Sequence, residues 1–270
     1  MKLSEATRIL LSAGVPSARY DAKQIFEHIG GCTQLEMTLG DVETDKPEVI
    51  DAVTRRAQRE PLQYLIGKVY FYNEEYEVNE GCLIPRSDTE ILVEYAVKNL
   101  PCGVRFLDLC TGSGCVGISV LKNTDSTTAV LADISERALK ICNLNAERNG
   151  ISKERYTAVC KNVLESKIDG EVFAVLSNPP YIPEGEYLAL EREIFYEPRG
   201  AFVADRDGLE FYERLTPMYR ESLSPGGFIA YEIGASQAEA LVKIAEQNGM
   251  SCEIIRDLSG HDRVAVLKVK

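Results

Sequence analysis

Phe106-Leu107-Asp108-Leu109-Cys110-Thr111-Gly112-Ser113-Gly114-Cys115-Val116-Gly117 begins as a buried strand, passes through a glycine turn and ends as the start of a helix. Glycines at such a junction permit a tight turn and let a ligand lie against the backbone at a helix N-terminus. The spacing Gly112-Ser-Gly114-Cys-Val-Gly117 also matches the dinucleotide fingerprint G-x-G-x-x-G, and Asp133 ends the next strand-like run about where a ribose-binding acid belongs. A lone match of this kind is weak, with a plain tight turn into a helix as the alternative, so the rest of the chain must decide.

Downstream, Thr128–Ala132, Tyr156–Cys160, Val172–Ser177 and Gly227–Ile233 are short apolar runs of strand type, as is Val104–Leu109 upstream of the turn. Helical periodicity fills 135–148, 208–222 and 236–248, and the end from Cys252 to Lys270 carries two further strands around Ser259-Gly260. This βαβ alternation predicts a mostly parallel sheet covered on both faces over 86–270. Residues 1–67 read instead as helices. Leu3, Ala6, Ile9, Leu10 and Ala13 share a face, Gly14 and Pro16 break the run, and Ile25, Phe26 and Ile29 begin a second stripe. A third stripe, Val49, Ile50, Val53 and Ala57, follows Pro47 at a helix start. Between the two regions, 68–85 is predicted to be a β-hairpin linker, with Tyr70, Phe71, Tyr72, Tyr76 and Val78 around a polar tip at Asn73-Glu74-Glu75.

The formal charge of −12 argues against a protein that holds nucleic acid through its overall field, because phosphate binding draws on Lys and Arg. Eight scattered cysteines without a Cys-x-x-Cys, and only His28 and His261, leave no closely spaced pairs for zinc, so no metal is expected. Free thiols fit a reducing compartment. Ile9-Leu10-Leu11 is too short for the apolar stretch of a signal peptide, and nothing approaches the roughly 18 apolar residues of a membrane span. A cytoplasmic enzyme, acting as a single copy away from membranes, is the expectation.

Asp108 separates two cofactor readings of the glycine turn. A carboxylate just before the glycines can approach the ammonium group of a methionine moiety, whereas beside a pyrophosphate it would repel. A dehydrogenase also needs a proton donor, often His, and His261 has no obvious partner. The balance favours S-adenosylmethionine, with a helix-capping role for Asp108 as the plain alternative.

The run Val172–Ser177 ends on Asn178-Pro179-Pro180-Tyr181-Ile182-Pro183. A conjugated NH2 group is a poor nucleophile because its lone pair is delocalised. It needs two acceptors that grip both N–H bonds and aim the lone pair at an electrophilic methyl. The Asn178 side-chain oxygen and the Pro179 carbonyl supply them, Pro179 and Pro180 offer no competing N–H, and Tyr181 can lie against the flat group. Positioning of this kind contributes up to roughly 7–11 kcal/mol without a strong base, a metal or a covalent intermediate. Asn-Pro is also a common turn opener. After the fourth strand of a sheet whose first strand carries the glycine turn, however, it falls at the carboxyl edge where such sheets bind ligands.

Asn-Pro-Pro-Tyr after a D-x-x-x-G-x-G loop resembles the S-adenosylmethionine-dependent amino-methyltransferases of the seven-stranded Rossmann-like fold, which methylate adenine, cytosine or glutamine amines. Four further stretches narrow the resemblance: Arg59 to Gly67, Leu83 to Glu90, Tyr196 to Ala201 and Asp257 to Arg263 are similar to the HemK/PrmC family. The likeness runs nearly end to end. It implies methyl transfer to the glutamine of the Gly-Gly-Gln motif in class 1 peptide chain release factors, with the small helical domain docking that substrate. It also implies that Cys110, Thr111, Gly112, Ser113 and Gly114 wrap the methionine part of the cofactor and that Asp133 holds its ribose. Asn162 and Val163 would flank the adenine, and Asn178, Pro179, Pro180 and Tyr181 would hold the target amide, Asn178 also lying near the cofactor. Cys110 stands where many relatives carry glycine, Asn162 stands where an acid is common, and Val163 offers only apolar contact. The alternative, an adenine-N6 methyltransferase acting on DNA or RNA, shares the corner but lacks a basic or aromatic target-recognition region. Arg86, Glu197 and His261 receive no assigned role.

Overall fold

Strands buried on both faces need no polar alternation, which is why the apolar runs beyond the glycine turn are so uninterrupted. The computed structural model describes residues 1–270. Its strands are β1 (Lys68–Phe71), β2 (Glu74–Glu77), β3 (Arg105–Leu109), β4 (Thr128–Asp133), β5 (Tyr156–Cys160), β6 (Val172–Ser177), β7 (Ile182–Pro183), β8 (Val203–Ala204), β9 (Leu223–Glu232), β10 (Met250–Arg256) and β11 (Asp262–Val269). The first five helices are α1 (Leu3–Ser12), α2 (Ala18–His28), α3 (Gln34–Leu39), α4 (Pro47–Ala57) and α5 (Leu62–Ile66). They are followed by α6 (Glu90–Asn99), α7 (Cys115–Lys122), α8 (Glu136–Arg148), the single turns α9 (Glu184–Tyr187) and α10 (Asp205–Gly208), α11 (Glu210–Arg220) and α12 (Ala238–Gln247).

Seven strands form one sheet in the order β10-β11-β9-β6-β3-β4-β5. Strands β9, β6, β3, β4 and β5 are mutually parallel, and β11 runs antiparallel between β9 and β10. Successive strands leave β3 on opposite sides, β4 and β5 to one and β6 and β9 to the other, so the switch point of the sheet lies between β3 and β6. Leu109 is in register with both Ala132 and Ser177, and Ser177 with Tyr231. Cys110, Asp133, Asn178 and Glu232 therefore all leave the sheet along one edge. Alternate strand residues feed two apolar layers. Phe106, Ala174 and Leu176 pack with Leu92, Ile118 and Cys142 of α6, α7 and α8, while Leu107, Leu109 and Val175 pack with Tyr212, Leu215 and Leu241 of α11 and α12.

Contacts divide the chain into two compact units, Met1–Lys68 with Val78–Glu80 and Glu191–Glu197, and Val69–Glu77 with Gly81–Leu190 and Pro198–Lys270. In the larger unit, β1 and β2 turn through Tyr72 and Asn73, both at positive φ, so the polar tip is one residue earlier than expected and Glu74 already belongs to β2. Two residues of this kind match the twist of paired strands. The turn sets Phe71 and Tyr76 edge to face at 5.9 Å, both fully buried.

In the smaller unit, the expected stripes become a core of Leu3, Ala6, Leu10, Ile25, Phe26, Val49 and Val53, whereas Ile9 and Ile50, expected on the same faces, are exposed. Thr33 and Glu36 close a capping box at α3, Pro47 opens α4, and Gly67, at φ 83°, ends α5. The same unit contains a buried polar cluster. Arg56 donates from Nε to Asp21 at 2.7 Å, and Arg56 and Arg59 both converge on Glu193. No helix of the chain is long and apolar enough to cross a membrane.

Candidate active site

Packing explains two of the three glycines after β3. A Cβ on Gly114, whose φ is +84°, would come within 2.6 Å of Ile118 Cδ1 and 2.8 Å of Cys142 Sγ. One on Gly117 would meet Leu131 Cδ2 at 2.3 Å, so this glycine lets α7 settle on the sheet. A Cβ on Gly112 would meet nothing within 4 Å, because the outer face of the turn is open. Asp108 takes the plainer of its two expected roles. Its Oδ2 accepts from Thr111 Oγ1 at 2.5 Å and from the Gly117 amide at 2.9 Å, bracing the turn from inside. Complete burial pushes its carboxyl up to about 7 against those two bonds.

Asp133, half-buried at the end of β4, accepts from the Gly112 amide at 2.8 Å through Oδ2 and from the Ser135 amide at 2.9 Å through Oδ1. Burial raises its carboxyl, and the backbone bonds oppose the rise. Each oxygen keeps a second lone pair. The open turn over Cys110–Gly114 and the carboxylate tied to it form a cradle that fits an adenosyl-methionine cofactor: backbone for the methionine part, carboxylate for vicinal hydroxyls.

Cys110 occupies the left-handed region at φ 61°, where a Cβ costs roughly 1–2 kcal/mol. Burial, followed by the charge of Asp133, raises its thiol, which therefore stays protonated and unreactive. Cys110→Gly should keep or raise stability, by up to about 1 kcal/mol once the added chain entropy is counted. Cys110→Val should cost about 2 kcal/mol and weaken cofactor binding. Urea denaturation and cofactor titration check both; a valine variant as stable as the parent would show that this backbone bears no strain.

The two residues expected to flank the adenine are placed less openly. Asn162 Oδ1 turns back to accept from the Leu164 amide at 3.1 Å, and the Val163 side chain is buried in the layer with Leu107 and Val130. Oδ1 is thus already engaged, and Val163 presents backbone and core packing at that edge.

The Asn178 corner is brought beside the glycine turn by Ser177, whose Oγ donates to the Leu109 carbonyl at 2.6 Å across β6 and β3. Asn178 Nδ2 donates to Thr89 Oγ1 at 3.1 Å. No hydrogen bond from the chain ends on Asn178 Oδ1 or on the Pro179 carbonyl, so both acceptors remain available. Past the prolines, the Tyr181 and Ile182 amides both donate to the Phe202 carbonyl. Gln237 Nε2 holds the Tyr181 carbonyl at 3.0 Å, while Gln237 Oε1 accepts from the Gly234 amide at 2.9 Å. Gly208 must be glycine here, since a Cβ would sit 2.1 Å from the Tyr181 carbonyl oxygen. The Tyr181 phenol donates to Glu232 Oε1 at 3.4 Å; burial first, then the neighbouring charge of Glu232, keeps it protonated.

Glu232 and Gln237 escaped the sequence reading, and Thr89 entered it only within the stretch Leu83 to Glu90, with no role of its own. One signal was present: Glu232 ends an apolar strand at the same edge as Asp133, an unusual place for a buried acid.

Two family models match the chain, the PrmC N-terminal domain over residues 2–67 and the methyltransferase small domain over 87–202. The release factor glutamine methyltransferase of Geobacter sulfurreducens is 34% identical over 261 residues, covering 94% of this chain and 91% of the relative. That of Clostridium acetobutylicum is 38% identical over 231 residues, covering 83% and 80%. This chain belongs to the release factor glutamine methyltransferase family. A solved methyltransferase from Pyrococcus furiosus shares the fold at a TM-score of 0.52 and 19% identity, over 72% of this chain and 89% of that one.

Several stretches that resemble the release factor glutamine methyltransferases now have places. Asp257 accepts from the Ser259 and His261 amides and from Arg263 Nε, forming a turn that presents Arg263 to Asp88 at 3.0 Å. His261 itself is an exposed member of that turn. Glu197 is buried in the smaller unit. Arg86 precedes the turn Ser87–Thr89 that delivers Thr89 to the corner.

Proposed function

We propose that this chain methylates the side-chain amide nitrogen of the glutamine in the Gly-Gly-Gln motif of class 1 peptide chain release factors. The observation that carries the reading is the acceptor pair, Asn178 Oδ1 and the Pro179 carbonyl, left without donors from the chain at the switch point of the sheet and next to the cofactor cradle. S-adenosylmethionine, when bound, supplies an electrophilic methyl group on a sulfonium. Cys110, Thr111, Gly112, Ser113 and Gly114 would hold its methionine part and Asp133 its ribose, with Val163 beside the adenine. Asn178 and Pro179 take the two N–H bonds of the target amide and direct its lone pair away from the carbonyl. They also favour the positive charge that develops on nitrogen, and the surplus proton then leaves to water. Pro180 keeps the corner free of competing donors, and Tyr181 lies against the amide plane.

The corner serves an adenine amine equally well, so the substrate rests on family membership: two named relatives at 34% and 38% identity, and the matching N-terminal domain. In this reading the helical unit docks the release factor. The enzyme works in the cytoplasm as a monomer, without direct contact to nucleic acid or membrane. The test supplies labelled S-adenosylmethionine with a purified release factor, its glutamine-to-alanine variant and duplex DNA. Label is expected in the unaltered release factor alone; label in DNA and none in the release factor would overturn the substrate assignment.

A further inference from the structure

An asparagine side chain is nearly symmetric in shape, and a half-turn of its amide exchanges acceptor for donor. At position 178 that exchange would place an NH2 group against the target nitrogen. The bond from Asn178 Nδ2 to Thr89 Oγ1 selects one orientation. A hydroxyl, however, donates as readily as it accepts, so Thr89 enforces the choice only if its own hydrogen is directed elsewhere. Thr89 is 1% exposed, and its hydroxyl is among the groups that act on the carboxyl of Glu232, which is 3% exposed and keeps Oε2 without a hydrogen-bond partner.

We propose that Thr89 and Glu232 are positioning residues for methyl transfer, fixing which end of the Asn178 amide faces the target nitrogen. This rests on the reading of the corner as the target-amide site. An ionised Glu232 only accepts, draws the Thr89 hydrogen toward itself and leaves the Thr89 oxygen to accept from Asn178. A protonated Glu232 donates to that oxygen instead and frees the Thr89 hydrogen to turn toward Asn178 Oδ1, in competition with the substrate.

The relay should therefore be sensitive to pH. Desolvation pushes Glu232 up to about 7; the Thr89 hydroxyl is the foremost group holding the rise back, and Asp88 adds to it while Arg263 and Tyr181 oppose it. Tyr212 and Cys115 also face Glu232, and burial keeps both protonated across the neutral range. Asp108 is pushed into the same range as Glu232, but it braces the cofactor turn, so saturating cofactor separates its effect.

The experiment measures kcat with saturating cofactor and release factor from about pH 6 to 9 for the parent, Thr89→Val, Thr89→Ser and Glu232→Gln. Parent kcat should rise as Glu232 ionises near pH 7, and Glu232→Gln should lose that step. Thr89→Val should lower kcat about tenfold or more with KM and cofactor affinity within about twofold, and Thr89→Ser should recover to within about threefold. Thermal melts show whether each variant is folded, and Thr89→Ser with Glu232→Gln carry the test if Thr89→Val is not. A Thr89→Val enzyme with parental kcat, or a Glu232→Gln enzyme that keeps the step, overturns the relay. If the parent itself transfers no methyl group to the release factor, it is the functional reading that fails.

Discussion

Asn178→Ala should lower kcat by about a hundredfold to a thousandfold while the cofactor still binds. The size of the effect follows from what the side chain supplies. Its Oδ1 is one of two acceptors that no group of the chain uses, and the other, the Pro179 carbonyl, cannot hold both N–H bonds of a planar amide. With one grip lost, the nitrogen lone pair stays conjugated with its carbonyl and the alignment with the methyl group loosens. The structural cost is small by comparison. Thr89 loses one donor, worth about 1 kcal/mol, and the Tyr181 end of the corner stays fixed by Gln237 and Phe202. Initial-rate assays with a release factor, cofactor titration and a thermal melt separate these effects. Parental turnover would remove Asn178 from the chemistry, and a loss confined to cofactor affinity would move it into the cofactor cradle.

Much of this arrangement was legible in the sequence because parallel strands advertise themselves. Val104–Leu109, Val172–Ser177 and their companions are buried on both faces, and β6 matches the expected bounds residue for residue. Strand β9 was less well bounded. It begins at Leu223, before the expected Gly227, because Leu223 pairs with Val172 across an irregularity that spans the Pro225-Gly226 break. The glycine turn, Asp133 and Asn178 were visible because backbone geometry and strand ends leave a local signature. The contacts of Thr89, Glu232 and Gln237 were not, since each meets a partner far along the chain: Thr89 meets Asn178, Glu232 meets Tyr181, and Gln237 meets the Tyr181 carbonyl. Local periodicity carries no information about such pairs. Asp108 shows the converse. Its position was read correctly, yet its geometry favours the brace on Thr111 and Gly117 over a free approach to a ligand.

The same limit hid Glu193, and it yields the largest expected effect on stability. Arg56 is 5% exposed and joins three pieces of the helical unit: Asp21 of α2, the Glu60 carbonyl after α4, and Glu193 of the Glu191–Glu197 segment. Arg56→Ala would strand the Asp21 carboxylate, 2% exposed, with only the Ser17 hydroxyl. Removing one partner of a buried pair costs about 3–5 kcal/mol, because the remaining charge is left desolvated and uncompensated. Removing both partners is milder, so Asp21→Ala combined with Arg56→Ala should lose less than the sum of the single changes, by about 1–3 kcal/mol. Arg56→Lys should not rescue fully, since an ammonium cannot reach Asp21 and Glu193 with the fork a guanidinium provides.

Acid should weaken the same cluster. Burial alone would raise the Glu193 carboxyl, but hydrogen bonds from Arg59 and Arg56 outweigh it and hold the group below its usual value of 4.5. Its contribution is therefore complete at neutral pH and is lost as pH falls below about 4.5, through the lowered folded value. Urea unfolding of the full chain measures the Arg56→Ala cost, and trypsin cleavage after the exposed Arg192 reports release of the segment. An Arg56→Ala chain with parental stability and unaltered cleavage would mean that Asp21 finds another partner, and that the Glu191–Glu197 segment is held by something other than its ion pairs.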